Sequence, residues 1–234
     1  RSPNTSTNTA GPDGVAAFNA LAGVQTFDTS YLDVDFIPTG NVLTVKLVFS
    51  SEEYPFLNGQ SFNDVAGVWV NGALVPMGAG NGKISVTNIN QNTNSSLFVS
   101  NTNDAYNTEM DGFTVTLELT VIVNPVQVNS IRFGIADGGD TAYDSNLMIA
   151  SGAEIANLDA VADSITLTKF ASGTVNPLTN DVNTTGAAMT VTHINGIPVQ
   201  PGGSVTLANG LVVTLNADGS FSVQNDGDLG QSSF

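Results

Sequence analysis

Phe113-Thr114-Val115-Thr116-Leu117-Glu118-Leu119-Thr120-Val121 alternates apolar and polar side chains without a break. A strand points successive side chains to opposite faces, so a period of two builds one apolar and one polar face. At this length the run predicts a strand that crosses a whole sandwich. The same texture recurs in Leu43-Thr44-Val45-Lys46-Leu47-Val48-Phe49 and in Ile131-Arg132-Phe133-Gly134-Ile135-Ala136. Residues 65–70 carry the single Trp, Trp69, and run into Asn71-Gly72, a dipeptide suited to the left-handed backbone of a two-residue hairpin. Helical periodicity is confined to residues 14–22, an Ala-rich stretch for which Asp13 predicts an N-cap. Many short strands separated by Gly, Asn and Asp turns predict an all-β chain built on two-sheet sandwiches.

After Leu158 the texture changes to a compact β-module, which predicts two domains in tandem, 1–158 and 159–234. The second reads as strands over 164–170, 189–194, 204–208, 211–215 and 220–223. Asn209-Gly210 and Asp218-Gly219 supply its turns, and Pro177 and Pro201 punctuate its loops.

Composition narrows the function. Only 11% of the 234 residues are charged, and 21 Asp plus Glu stand against 5 Lys plus Arg, a net charge of −16. Such a surface repels phosphate backbones, so a nucleic-acid partner is excluded. With no Cys and the single imidazole of His193, thiol chemistry, disulfides and multi-His metal sites are excluded as well. His193 lies in an alternating run and reads as a structural strand residue. No apolar run approaches the roughly 20 residues of a helical membrane span, so direct membrane insertion is not expected. Arg1-Ser2-Pro3-Asn4 opens a polar tract unlike a signal peptide, as in a mature product or a fragment. Asn4, Asn94 and Asn183 fit the glycosylation sequon, a match that arises readily in an Asn/Thr-rich chain.

The acids cluster at strand ends. Glu52 and Glu53 follow one strand directly; Asp137, Asp140 and Asp144 follow another; Asp111 precedes a third, and Asp64 stands in Phe62-Asn63-Asp64. Calcium takes six to eight oxygens at about 2.3–2.6 Å from carboxylates and carbonyls. Gly138 and Gly139 would let the loop fold sharply and bring Asp137, Asp140 and Asp144 onto one ion. Solvated turn acids are the plain alternative. Paired carboxylates also serve glycoside hydrolases. Adjacent residues on a strand face opposite ways, however, so Glu52 and Glu53 could not share a substrate, and a partner such as Asp64 or Asp137 would be needed.

Three ordered elements resemble the choice-of-anchor L domain family over roughly residues 13–155. They are Val48-Phe49-Ser50-Ser51-Glu52-Glu53-Tyr54-Pro55 with Ser61-Phe62-Asn63-Asp64-Val65, then Asp111-Gly112-Phe113-Thr114, then Ile135-Ala136-Asp137 through Tyr143-Asp144-Ser145. The resemblance implies an extracellular, bacterial cell-surface setting, no established reaction, and a structural calcium site at the shared acids. The chain enters late in that family's pattern. Residues 159–234 are similar to bacterial cadherin-like or VCBS-type adhesin repeats, through Asn176-Pro177-Leu178-Thr179-Asn180-Asp181-Val182-Asn183, the segment 191–199 and Leu215-Asn216-Ala217-Asp218-Gly219-Ser220-Phe221. The loop after Asn180-Asp181 lacks those repeats' usual acids. The chain stops at Ser232-Ser233-Phe234, where the closing strand of such a repeat would begin, which would leave an unpaired edge.

The resulting expectation is a non-enzymatic extracellular module of a bacterial surface protein, rigidified by calcium, for attachment or as a stalk. Its partners would be a glycan or other cell-surface ligand, or neighbouring domains or subunits of a larger adhesin. A carbohydrate-binding or carbohydrate-active module using Glu52 and Asp137 is one alternative; a filament subunit assembled by donor-strand addition is another.

Overall fold

A computed structural model describes residues 10–56, 61–227, 230 and 232–234 of the chain, which divides into two units at Ile155/Ala156. The Asn4 sequon lies outside the described residues.

The first unit is a sandwich of two antiparallel sheets. It opens with a short helix α1 (Ala16–Ala22), followed by β1 (Thr26–Phe36), β2 (Val42–Ser51), β3 (Val65–Val70), β4 (Ala73–Leu74), β5 (Ile84–Ser85), β6 (Phe98–Ser100), β7 (Gly112–Thr114), β8 (Leu117–Ile122), β9 (Asn129–Gly138), β10 (Ser145–Ile149) and β11 (Glu154–Ala156). One sheet runs β1-β9-β3-β4 with β5 also on β3; the other runs β10-β2-β7-β6, with β8 and β11 also on β2. The alternation in residues 43–49 becomes the inner face of β2, where Leu43, Val45, Leu47 and Phe49 are buried against Val68, Val70, Ile131 and Phe133 of the facing sheet.

The long alternating run does not form one strand. Ser50 pairs with Phe113 and Ser51 with Gly112, but Leu47 pairs with Leu117, so β7 and β8 differ by one residue in register against the same strand. An extra residue at Val115-Thr116 makes a β-bulge, which bends the strand and shifts its pairing. The Thr114 hydroxyl oxygen accepts the Phe49 N–H at 3.1 Å, and the Val115 N–H turns to the Leu97 carbonyl. Asn71-Gly72 makes the expected hairpin turn between Val70 and Ala73, with both residues at positive φ. Helix α1 is present, but its N-cap is Val15 without a side-chain bond. The Asp13 carboxylate instead accepts the Asp28 N–H at 3.3 Å, so the expected cap is not made.

The second unit is also all β. Its elements are β12 (Leu158–Asp159), β13 (Ser172–Val175), β14 (Val182–Asn183), β15 (His193–Ile194), β16 (Ile197–Pro198), β17 (Ser204–Thr206), β18 (Val212–Leu215) and β19 (Phe221–Gln224). Four of them form the sheet β13-β19-β18-β17, and Val205, Val213, Leu215, Phe221 and Val223 are buried in its core. Residues 164–170 form no strand: Ile165 and Leu167 pack on this core, over Gly173, without joining a ladder. The expected strand at 189–194 is reduced to β15, and His193 is exposed on it. At the chain end the Phe234 ring meets Phe221 edge-on at 5.7 Å, and the Ser233 carbonyl accepts from Asn195.

Gly138 shows how tightly the sandwich closes. A Cβ there would lie 2.1 Å from the Asn63 carbonyl oxygen, a backbone atom that cannot swing aside. Gly138→Ala is expected to destabilise the protein by about 3 kcal/mol or more, at the upper end of overpacking costs. Gly78→Ala, where nothing lies within 4 Å, stays within roughly 0.5 kcal/mol of the parent. Urea unfolding of the two variants checks both.

Candidate functional site

The pairing of the strands gathers the acids at one end of the first sandwich. In one sheet, Ser51 at the end of β2 lies opposite both Gly112 and Ser145. Asp111 and Asp144, one residue earlier on those neighbours, therefore flank Glu52. In the other sheet, Val65 pairs with Ala136 and Phe27 with Asp137, which brings Asp64 and Asp28 to the strand end that carries Asp137.

Asp64 is the centre of this end. It is 1% exposed, and its carboxylate accepts the Ser51 hydroxyl at 2.8 Å, the Ser145 hydroxyl at 2.6 Å and the Gly138 N–H at 3.1 Å. Ser51 and Ser145 belong to one sheet, Gly138 to the other, so one side chain joins both. Ser51 Oγ also accepts the Glu53 N–H at 2.9 Å, fixing the turn after β2. That turn revises the expectation for the two glutamates. β2 ends at Ser51, and Glu52 and Glu53 are both buried in the turn, 5% and 6% exposed, not on opposite faces of a strand. Tyr54 then enters the core, donates its hydroxyl to the Ile89 carbonyl at 2.7 Å, and has its ionisation pushed up by burial and by the Asp64 charge. Gly112 lies against the Tyr54 and Phe98 rings, where a Cβ would collide with both.

Asp28 was not among the sequence candidates. It sits in a bulge of β1, where the pairing with β9 shifts between Phe27 and Ser30, at φ +47. It is 8% exposed, and its Oδ2 is buried without a hydrogen bond, as is the hydroxyl of neighbouring Thr29. The readable signal is the break in alternation at Phe27-Asp28-Thr29-Ser30, since Asp tolerates the left-handed backbone that a bulge requires.

The electrostatics follow from this crowding. Burial pushes Asp64 up to about 6, against the pull of its three hydrogen bonds and with Asp140 adding to the rise. Asp137, half-buried, is pushed up to about 8, first by desolvation and then by the charges of Asp64, Asp28, Asp144 and Asp140. The described cations of this unit are engaged elsewhere. Lys46 pairs with Glu154 and Glu118, Arg132 with Asp33, and Lys83 donates to the carbonyls of Ala20 and Leu21. The acids lie within electrostatic reach of one another, yet among the described residues no three His, Cys, Asp or Glu side chains stand in a metal-holding group. Asp137, Asp140 and Asp144 are thus neighbours in the field of the corner without forming a ready-made cage.

A carboxyl whose folded pKa lies above its unfolded value of 3.8 binds its proton more tightly in the native state. Folding stability therefore falls as pH rises from about 4 to about 8. Without divalent cations the melting temperature should be higher at pH 5 than at pH 8, and Asp137→Asn should flatten this dependence. Calorimetry across that range checks both.

A family model described as the choice-of-anchor L domain matches residues 1–154. No curated protein and no solved structure matches the chain. The matched stretch contains both sheets of the first unit and every acid of the corner, and the chain belongs to the choice-of-anchor L domain family.

Proposed function

We propose that the chain is a non-catalytic, extracellular module of a bacterial surface protein, serving attachment or spacing, whose acidic corner is rigidified by calcium. Family membership supports the surface setting. The observation that carries the calcium reading is the buried Asp28 Oδ2, which makes no hydrogen bond, beside an Asp137 whose ionisation the surrounding carboxylates oppose. Calcium accepts carboxylate, amide and backbone oxygens in irregular shells, so it suits acids spread over several strand ends. Asp28, Asp137, Asp140 and Asp144 would hold it, with Glu52, Glu53 and Asp111 beside them. Asp64 is already committed to its three donors and acts as their support. The ion would supply charge neutralisation alone.

Burial favours structure over chemistry at the glutamates. Glu52, Glu53 and Asp64 lie at 5%, 6% and 1% exposure, whereas the acid and base of a glycoside hydrolase must reach a sugar. The adhesin-repeat reading of the second unit rests on its sequence pattern, to which its antiparallel sheet is suited.

Protons and calcium relieve the same repulsion, so their effects should be exclusive. Millimolar calcium is expected to raise the melting temperature by several degrees at pH 8, reversibly with chelator, and to do little at pH 5. Asp28→Asn should weaken the effect at pH 8. A melting temperature indifferent to calcium at pH 8 would leave the acids as proton-neutralised turn residues. Loss of hydrolysis on a glycan panel in a folded Glu52→Gln variant would replace this reading with the catalytic one.

A further inference from the structure

The first sandwich is open along one side. Between β1 of one sheet and β10 of the other lies an apolar cavity of about 420 Å³. Its floor is Leu43 and Val45 on β2 with Ile131 and Phe133 on β9, all buried; its walls are Val34 on β1 and Ile149 on β10, each 40% exposed. Thr39 is its one polar lining side chain, and no charged residue lines it.

Beside the cavity runs a strand edge that lacks a partner among the described residues. Among the described strands, β1 pairs with β9 alone. Gly14 and Pro12 make backbone hydrogen bonds to Thr26 and Thr29, which covers the first part of its outer edge. From Ser30 to Phe36, no described residue makes a backbone hydrogen bond to that edge. The two faces of this stretch differ. Val34 and Phe36 turn to the cavity. Asp33 and Asp35 alternate with them: Asp33 is held by Arg132, which also lies over the Tyr31 ring at 4.1 Å, while Asp35 has no ion-pair partner among the described residues.

We infer that this slot accepts an extended strand from a separate, basic polypeptide. The unpaired edge calls for a peptide backbone, because its N–H and C=O groups are satisfied by strand addition and not by a hydrocarbon. The cavity calls for apolar side chains at alternate positions, and the Asp33/Asp35 face for basic ones between them. The sequence of residues 1–234 offers no such basic strand: residues 1–9 contain no Val, Ile, Leu, Met or aromatic side chain, and the five cations, at 1, 46, 83, 132 and 169, never fall two to a strand. A second copy is also repelled by the net charge of −16.

The test uses the full chain and a fluorescein-labelled nonapeptide of alternating Val and Lys, followed by fluorescence polarisation in buffer of moderate ionic strength. Saturable binding is expected, weakened at least tenfold by Val34→Asp or Ile149→Asp and severalfold by Asp35→Lys. A peptide alternating Val and Glu should not bind. The wall positions are partly exposed, so these variants should stay folded, as their melting curves will show; whichever is folded gives the reading. The inference is overturned if the alternating peptide fails to bind. It is equally overturned if a scrambled peptide of the same composition binds as well, or if a folded wall variant binds undiminished.

Discussion

A single buried carboxylate ties the two sheets of the first unit together. Asp64 precedes β3, and its donors come from the end of β2, the start of β10 and the end of β9. Moving an ionised carboxylate out of water costs several kcal/mol unless fixed donors replace the lost hydration. Three donors do so here, and they must be correctly placed for the sandwich to close. Ser51 needs β2 to end where it does, and Gly138 must lack a side chain to pass the Asn63 carbonyl. Ser145 must begin β10 opposite Ser51. Two of the sequence elements that carry the family resemblance, 48–65 and 135–145, therefore have a common physical meaning: they supply Asp64 and its donors, while Gly112 of the element at 111–114 pairs with Ser51.

The price of this closure is a concentration of like charge. The three donors that satisfy Asp64 are neutral, so they bring no positive charge to the acids around it. Among the described cations of this unit, Lys46 and Arg132 pair across strands on other surfaces. Asp64 and Asp137 are both pushed above the ordinary carboxylate range, so protonation relieves part of this repulsion.

Most of the sandwich was legible from alternation, because the buried inner faces of β2, β3 and β9 obey a period of two. What escaped were the places where backbone geometry breaks that period. The bulge at Val115-Thr116 keeps perfect alternation in sequence while shifting register in space, so its two strands look like one in the sequence. The bulge at Asp28 places an acid in this corner from within a strand, where no strand-end pattern marks it. Asp13 stands where an N-cap is expected, directly before the Ala-rich stretch, yet its carboxylate serves the bulge instead. Residues 164–170 have the apolar spacing of a strand, but Ile165 and Leu167 satisfy it by packing over a glycine without pairing. The clustering of Glu52, Asp64, Asp137 and Asp144 was legible; the role of Asp64 as support depends on contacts across 81 residues of chain, which no local pattern reveals.

A double-mutant cycle between Asp64 and Ser145 addresses the central claim most directly. Unfolding free energies of Asp64→Asn, Ser145→Ala and the double variant, taken at pH 7 and fixed calcium, isolate the coupling between the sheets. A hydrogen bond to a buried charged acceptor predicts a coupling of about 1.5–3 kcal/mol. A coupling near zero, with each single variant costing little, would contradict the claim that this carboxylate holds the sandwich together.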